Sequence, residues 1–148
     1  MSLKDKINQD LKDAMKSGDK VRLQTIRSLR ALILEFEKSG ANREMNQEDE
    51  IKLLTSAAKK RKESIEQYTK GGREELAEKE AEELKIIETY LPKQLTEEEI
   101  SEVVRKLAIE LNAEGKKDFG KLMGASAKAL KGKADGNVIR GIVESILS

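Results

Sequence analysis

The chain has 148 residues, of which 39% are charged and 3% aromatic, and its 29 basic and 28 acidic side chains give a formal net charge of +1. This composition favours long helices with solvated faces over sheets, and the near-neutral total excludes a global electrostatic attraction to nucleic acid or to a membrane. The absence of cysteine and histidine excludes disulfides, thiolate nucleophiles, Cys/His zinc sites and imidazole acid–base catalysis.

The apolar pattern indicates neither a signal peptide nor a membrane span. The first residues, MSLKDKINQD, contain no apolar run. Nowhere does an apolar run reach the roughly eighteen residues that a membrane helix needs. We therefore expect a cytoplasmic protein without a membrane partner.

Two short amphipathic helices are predicted at the start of the chain, because apolar residues recur there at spacings of three and four. Ser2 is placed to cap the first helix, and Gly18 is a stop signal at its end. The second helix follows Asp19 and is expected to end at Gly40. The stretch ANREMN, residues 41–46, indicates a loop.

A longer helix is predicted from Asn46, with Asp49 as the partner of that cap. Its inward positions have a heptad-like spacing and are Ile51, Leu54, Ala58, Arg61, Ile65 and Tyr68. Arg61 is the charged member of this seam, and an unpaired charge in such a place is costly. We expect a structural ion pair between Arg61 and Glu80 or Glu83 on the next helix.

The fourth helix follows Gly71-Gly72 and is ended by Pro92, the single proline of the chain. We therefore predict a helical bundle domain, or a long helical hairpin, over residues 1–92. A helix break, a proline and a new helix cap coincide after this point, so proteases are expected to cut residues 92–96 early.

A small three-helix domain is predicted over residues 93–148. Thr96 and Glu99 form a capping box for its first helix. Its last helix, Gly136–Leu147, is expected to be capped by Asp135.

The stretch Gly115–Gly124, GKKDFGKLMG, is one residue short of the phosphate-binding loop G-x-x-x-x-G-K-[ST]. Leu122 occupies the position of the hydroxyl that would bind Mg²⁺, and the first glycine follows a predicted helix instead of a buried strand. We interpret the stretch as a helix stop at Gly115, a basic turn, and a new helix, Phe119–Leu130, capped by Asp118. No nucleotide is expected to bind.

Basic residues are concentrated in this part of the chain, since residues 116–133 hold six lysines and one acid. Lys121, Gly124, Lys128 and Lys131 share one side at helical spacing, so a polyanion backbone could approach Gly124 between ammonium groups. Without aromatic residues on this side, contacts to phosphate and shape are expected instead of base stacking. The candidate nucleic-acid-binding residues are Lys116, Lys117, Lys121, Gly124, Lys128, Lys131, Lys133 and Arg140.

The same residues have a plainer interpretation, in which the lysines solvate a small domain and Gly124 permits close packing of helices. A second basic run, residues 59–62, is neutralised by nearby acids. No catalytic residue, metal ligand or cofactor site is indicated. The acids Glu97-Glu98-Glu99 lie in a first helical turn, where they offset the helix dipole, and Ser126 near Lys128 has no supporting pocket.

Five segments together resemble the GatB/YqeY family, and the resemblance covers nearly the whole chain. These segments are KKRKESIEQY (59–68), GGREELAEKEAEEL (71–84), YLPKQLTEEEI (90–100), DFGKLMG (118–124) and KGKADG (131–136). The last third is similar to the tail domain of the B subunit of the tRNA-dependent amidotransferase. That enzyme converts Glu-tRNA(Gln) or Asp-tRNA(Asn) to the amidated form.

The resemblance implies an all-helical protein with an N-terminal bundle and a small three-helix domain. In the amidotransferase the tail contacts tRNA, while the chemistry belongs to other domains and subunits. The matched positions are Lys121, Met123, Gly124, Lys131, Gly132, Lys133, Ala134, Asp135 and Gly136.

Three functions stay open at this point. The first is a non-catalytic module that binds tRNA or assists a tRNA enzyme, such as the amidotransferase or an aminoacyl-tRNA synthetase. The second is an auxiliary factor in glutamine-dependent transamidation, in which the carbon–nitrogen ligase activity with glutamine as amido donor belongs to the relative. The third is a helical protein-interaction adaptor without RNA.

Overall fold

Helices account for the regular structure of the chain in the computed structural model, which describes residues 2–39 and 44–148. Among these residues there are seven α-helices, one 3₁₀ turn and no strand, which confirms the all-α prediction. The helices are α1 (Leu3–Ser17), α2 (Lys20–Lys38), α3 (Gln47–Lys70), α4 (Glu74–Glu88), α5 (Glu97–Leu111), α6 (Phe119–Ala129) and α7 (Gly136–Leu147), and the 3₁₀ turn is Lys116–Asp118. None of the helices in the described part of the chain is long and apolar enough to cross a bilayer.

Five helices begin where the sequence predicts, because their caps are local. The side chains of Ser2, Asp19, Asn46, Thr96 and Asp135 each accept a hydrogen bond from a main-chain N–H two or three residues further on. The predicted capping boxes of α3 and α5 are both complete. Such caps satisfy N–H groups that have no partner inside the helix.

The sequence predicted that α2 ends at Gly40 and that α5 ends at Gly115. The predicted stop of α2 at Gly40 and the first part of the predicted loop, residues 41–43, lie outside the described residues, and α2 as described ends at Lys38. Helix α5 ends before Gly115, since Asn112 takes a left-handed conformation with φ 51°. Asparagine tolerates this conformation better than most residues and ends helices for that reason.

The chain divides into two compact units, Met1–Leu91 and Pro92–Ser148. In the N-terminal unit α3 and α4 form an antiparallel hairpin, while α1 packs on α2 and α2 packs on both hairpin helices. The apolar faces of the four helices form one core, with Leu3, Ile7, Ala14, Ile26, Leu29, Ile33, Leu54, Ala57, Ala58 and Ile87 buried. Burial of these apolar faces supplies most of the stability of such short helices.

The C-terminal unit has its own core, formed by α5, α6 and α7. Its buried residues are Ile100, Val104, Leu122, Leu130, Ile139, Val143 and Leu147. Because α6 gives one side to this core, its opposite side is left to solvent. That opposite side carries Lys121, Gly124 and Lys128, all of which are exposed.

Candidate functional site

All seven candidate cations lie in the C-terminal unit and are exposed. Two of the lysines are on the 3₁₀ turn, two are on α6, two are on the turn that follows α6, and Arg140 is on α7. We call the exposed side of α6 with Lys121, Gly124 and Lys128 the basic face. The two lysines of this face are seven residues apart, which corresponds to a rise of about 10 Å along the helix.

Charge is separated within the C-terminal unit. Helix α5 holds five acids and two bases, whereas residues 116–140 hold seven bases and two acids. Helices α5 and α6 pack against each other, so an acidic element and a basic element lie in the same small unit. The near-neutral total charge therefore hides a local positive region, which is the kind of distribution that attracts a polyanion.

Gly124 lies in the middle of the basic face, and nothing inside the described structure requires a glycine there. A Cβ atom added at this position would meet no atom within 4 Å, and the residue keeps ordinary helical geometry. The interpretation that Gly124 permits close helix packing is therefore wrong for the described residues. Glycine in a helix interior is less stable than alanine by roughly 1 kcal/mol. Gly120, one turn earlier, has the same open surroundings.

Lys121 and Arg140 make contacts within the unit that the sequence analysis did not predict. The Lys121 Nζ donates to the main-chain oxygen of Leu111 at 2.9 Å, at the end of α5 where carbonyls lack helical partners. The Arg140 Nε lies 3.3 Å from a Glu144 carboxylate oxygen, and its guanidinium lies 5.9 Å from the centre of the Phe119 ring. The spacing of Arg140 and Glu144 was a readable signal for a helical ion pair.

The glycine-rich stretch forms a turn and a new helix, as predicted, but the helix stop predicted at Gly115 is wrong, because α5 already ends at Leu111. Gly115 follows α5 and begins the 3₁₀ turn, and the Leu122 side chain is fully buried in the core. The predicted role of Asp118 is wrong, because its side chain makes no cap on α6. Its carboxylate accepts instead from the main-chain N–H of Glu114 at 2.8 Å, closing the connection between α5 and α6.

Arg61 forms the predicted ion pair in the N-terminal unit. Its Nε lies 3.0 Å from a Glu83 oxygen and 3.5 Å from a Glu80 oxygen, although the N–H is not aligned for a hydrogen bond. A terminal nitrogen donates to the Ser28 hydroxyl at 3.4 Å. Burial and the neighbouring Glu83 carboxylate raise the pKa of Glu80, against the lowering effect of Arg61. Two carboxylates thus share one guanidinium, which fits a structural role.

A groove of about 410 Å³ lies between α2 and α3, with Leu32, Phe36 and Leu53 among its lining residues. Its hydroxyl groups have no imidazole to activate them, since the chain lacks histidine. Ser126 is fully buried in the other unit, so its hydroxyl is not presented to a substrate. No group of acids in the described ranges, 2–39 and 44–148, could hold a metal ion.

Proteins named "Altered inheritance of mitochondria protein 41, mitochondrial" are similar to this chain. The protein of Pyrenophora tritici-repentis is 35% identical over 132 residues, which cover 87% of this chain and 71% of the relative. The protein of Kluyveromyces lactis is 36% identical over 151 aligned residues, covering 94% of this chain and 78% of the relative. The protein of Vanderwaltozyma polyspora is 35% identical over 85 residues, covering 57% and 46%.

These names contradict the expectation of a cytoplasmic protein, since the relatives are named as mitochondrial proteins. The expectation depended on the lack of an apolar leader in the first residues. An apolar run marks a secretory signal, whereas mitochondrial transit peptides are amphipathic and rich in arginine and serine, so the lack of such a run does not indicate a cytoplasmic protein. The cytoplasmic prediction is therefore wrong.

A family model described as "Yqey-like protein" matches residues 4–147. The match spans both compact units and the basic face of α6. It agrees with the resemblance that the five sequence segments indicated. The chain belongs to the YqeY-like family.

Proposed function

We propose that this YqeY-like protein is a non-catalytic module that binds tRNA, or assists an enzyme that acts on tRNA, through the basic face of its C-terminal unit. One observation carries the proposal: Gly124 leaves open space on the exposed side of α6, between Lys121 and Lys128. A glycine that neither packing nor backbone geometry requires destabilises the helix. Close approach of a partner's backbone to α6 would explain why a glycine stands at position 124.

Phosphate is the group that this surface suits best. Each lysine offers an ammonium group with three donors, and a phosphodiester backbone offers a regular series of acceptors. No aromatic side chain lies on the basic face, so base stacking is not part of the proposal. The ligand is then recognised by its backbone and shape, as structured RNA is.

The separation of charge within the unit supports the same conclusion. The acids of α5 would repel a polyanion, and the seven bases of residues 116–140 would attract it, so the ligand is oriented toward α6. Structured RNA is preferred over an acidic protein because the resemblance to the amidotransferase tail concerns a tRNA-contacting domain. The enzyme to be assisted would be a tRNA amidotransferase or an aminoacyl-tRNA synthetase.

Lys128 is the most informative lysine for a test. Lys121 donates to the end of α5, so its removal would change the stability of the unit together with its charge. Lys128 is exposed near the end of α6. Replacing it by alanine leaves a good helix former in its place.

The test is filter binding of total tRNA over a series of salt concentrations. We expect the affinity to fall with salt, with a log–log slope of a few units, since each phosphate contact contributes roughly 0.7–0.9. Lys128→Ala should reduce the slope by about one unit and weaken different tRNAs equally. Gly124→Glu should have a larger effect, because it places bulk and negative charge at the point of closest approach.

The control is Lys62→Ala in the basic run of α3, which should have a smaller effect than Lys128→Ala. Absence of tRNA binding at low salt would contradict the proposal. Unchanged binding by folded Gly124→Glu would do the same. Either result would leave the helical adaptor without RNA as the better account of this chain.

A further inference from the structure

Residues 92–95 lie against the turn that follows α6, and two hydrogen bonds join the two segments, while a third lies within residues 92–95. We call residues 92–95 the strap and residues 131–134 the basic turn. The Gln94 Nε2 lies 2.9 Å from the Pro92 carbonyl oxygen and 2.7 Å from the Gly132 carbonyl oxygen. The main-chain N–H of Leu95 donates to the Lys133 oxygen at 2.9 Å.

The basic turn is therefore held from two sides. On one side the N–H of Lys133 donates to the oxygen of Leu130, the residue that follows α6, at 2.9 Å. On the other side the carbonyls of Gly132 and Lys133 point to the strap. Gly132 has φ 76°, a conformation in which a side chain would be strained. The side chains of Lys131 and Lys133 are exposed.

We propose that Gln94 is a positioning residue for the basic turn, fixing where Lys131 and Lys133 present their ammonium groups to the RNA backbone. The position of the basic turn is inferred from the hydrogen bonds of Gln94 and Leu95. Its consequence for RNA binding rests on the proposed function. A lysine on a loose turn would lose more conformational entropy on meeting a phosphate than a lysine on a fixed turn. The strap thus extends the basic face beyond the end of α6.

The chemistry of the contact explains why an amide is needed. The Gln94 Nε2 has two hydrogens, and it meets two carbonyl oxygens. A glutamate has the same shape but no donor when it is ionised, and it would place negative charge against both oxygens. The strap is also partly buried at Pro92, Gln94 and Leu95, so the early cleavage predicted for residues 92–96 would require these contacts to open.

The experiment compares Gln94→Glu and Gln94→Ala with the wild-type chain in two assays. The first is limited digestion by trypsin, with mass spectrometry of the new ends after Lys131 and Lys133, and cleavage after Lys106 on α5 as internal reference. The second is the salt slope of tRNA binding. Gln67→Glu is the matched control, because it makes the same chemical change at an exposed position of α3.

We expect Gln94→Glu to speed cleavage after Lys131 and Lys133 about tenfold relative to the reference, since losing hydrogen bonds raises the open population of the turn. Gln94→Ala should do so to a smaller extent, as it removes the donors without adding charge. Both variants should also lower the tRNA salt slope by about one to two units. Lys133→Ala should then add little in the Gln94→Glu background.

Wild-type cleavage rates in both Gln94 variants would overturn the inference. Faster cleavage with a wild-type salt slope would also overturn it, because the turn would then be held without effect on binding. If the wild-type chain binds no tRNA at all, the proposed function fails separately, and the cleavage rates alone decide whether Gln94 holds the turn.

Discussion

The two compact units are both all-helical, yet they use charged residues and glycines in different ways. In the N-terminal unit Arg61 is drawn into the hairpin and shared by two glutamates. Gly18 and Gly72 lie at helix ends, each with φ 73°. In the C-terminal unit the cations of the basic face, Lys121 and Lys128, stay exposed, and Gly120 and Gly124 lie on an exposed helix surface with open space around them.

This difference separates stability from recognition. Replacing a residue that the fold itself requires should lower the free energy of unfolding. Replacing a residue that the fold does not require, and that even destabilises its helix, should weaken binding of a partner instead. The two units give matched pairs of residues with which this distinction can be tested, since the same substitution is expected to act in opposite directions.

The largest effect on stability is expected from Arg61→Ala. Removing the guanidinium leaves the Glu80 and Glu83 carboxylates close together and partly desolvated. We expect the N-terminal unit to lose about 2 kcal/mol, less than for a fully buried pair, because the Arg61 side chain keeps 20% of its surface exposed. Urea unfolding followed by tyrosine fluorescence is the measurement, since the two tyrosines, Tyr68 and Tyr90, are both in this unit and tryptophan is absent.

The control is Lys59→Ala, which removes a positive charge from an exposed position of the same helix. Its effect should stay within about 0.5 kcal/mol, as is usual for surface substitutions. Equal effects of Arg61→Ala and Lys59→Ala would mean that the partly buried ion pair contributes no more to stability than a surface charge does.

The glycines give the second test, with effects of similar size and opposite sign. Gly18→Ala should destabilise the N-terminal unit by roughly 1 kcal/mol, because alanine is strained at φ 73°. Gly124→Ala should stabilise the C-terminal unit by up to about 1 kcal/mol, since its methyl group meets nothing and alanine favours the helix. Amide hydrogen exchange in α6 measures the second change.

The binding assay completes this comparison. Gly124→Ala should weaken tRNA binding even though it stabilises the unit, whereas Gly18→Ala should leave binding unchanged. A variant that is more stable and binds as tightly as the wild type would show that the open space above Gly124 has no role in recognition.

Local interactions made much of the fold predictable from the sequence. Ser2, Asn46 and Thr96 bind N–H groups three residues away, so each cap and its partner lie in one short stretch. Arg61 was predictable across helices because the apolar seam fixed its inward direction and left a charge that needed a partner. In both cases the periodicity of the helix carries the information.

The rest depends on contacts that the sequence does not display. The bond from Gln94 to Gly132 joins residues 38 positions apart, and the bond from Lys121 to Leu111 joins two helices. The sequence predicted Gly115 as the end of α5, because glycine is the commonest residue just past a helix end, whereas in the structure Asn112 takes the left-handed conformation that ends the helix. The lysines of the basic face were identifiable by charge, but the internal partner of Lys121 was not.

The pH dependence of stability gives a third test, in which we expect smaller effects on the free energy of unfolding. The first group that it concerns is Glu80. Its pKa is raised above the ordinary value of 4.5, first by burial and then by Glu83. A raised pKa means that the folded state binds the proton more tightly, so this group's stabilising contribution is present at low pH and lost as the pH rises through the raised pKa. Relative to Glu80→Gln, the wild-type N-terminal unit should gain stability between pH 7 and pH 5, by tyrosine-monitored urea unfolding. A wild-type loss over that range would contradict the assigned direction.

The smallest effect is expected from Glu99 in the C-terminal unit, and its sign is opposite. Its carboxylate accepts from the Thr96 N–H at 3.1 Å, and that hydrogen bond is the main cause that lowers the pKa of Glu99. The contribution is therefore present above the ordinary pKa and lost as the pH falls through the lowered one. The glutamine of Glu99→Gln keeps the same acceptor at every pH, so its hydrogen bond should not respond to acid. The exchange rate of the Thr96 amide should therefore be higher in the wild type than in the variant at low pH, and this difference should disappear as the pH rises. Because Glu99 is fully exposed, the change should be confined to the first turn of α5. Unfolding of the whole unit in acid, in the wild type but not in Glu99→Gln, would show that Glu99 stabilises more than the start of this helix.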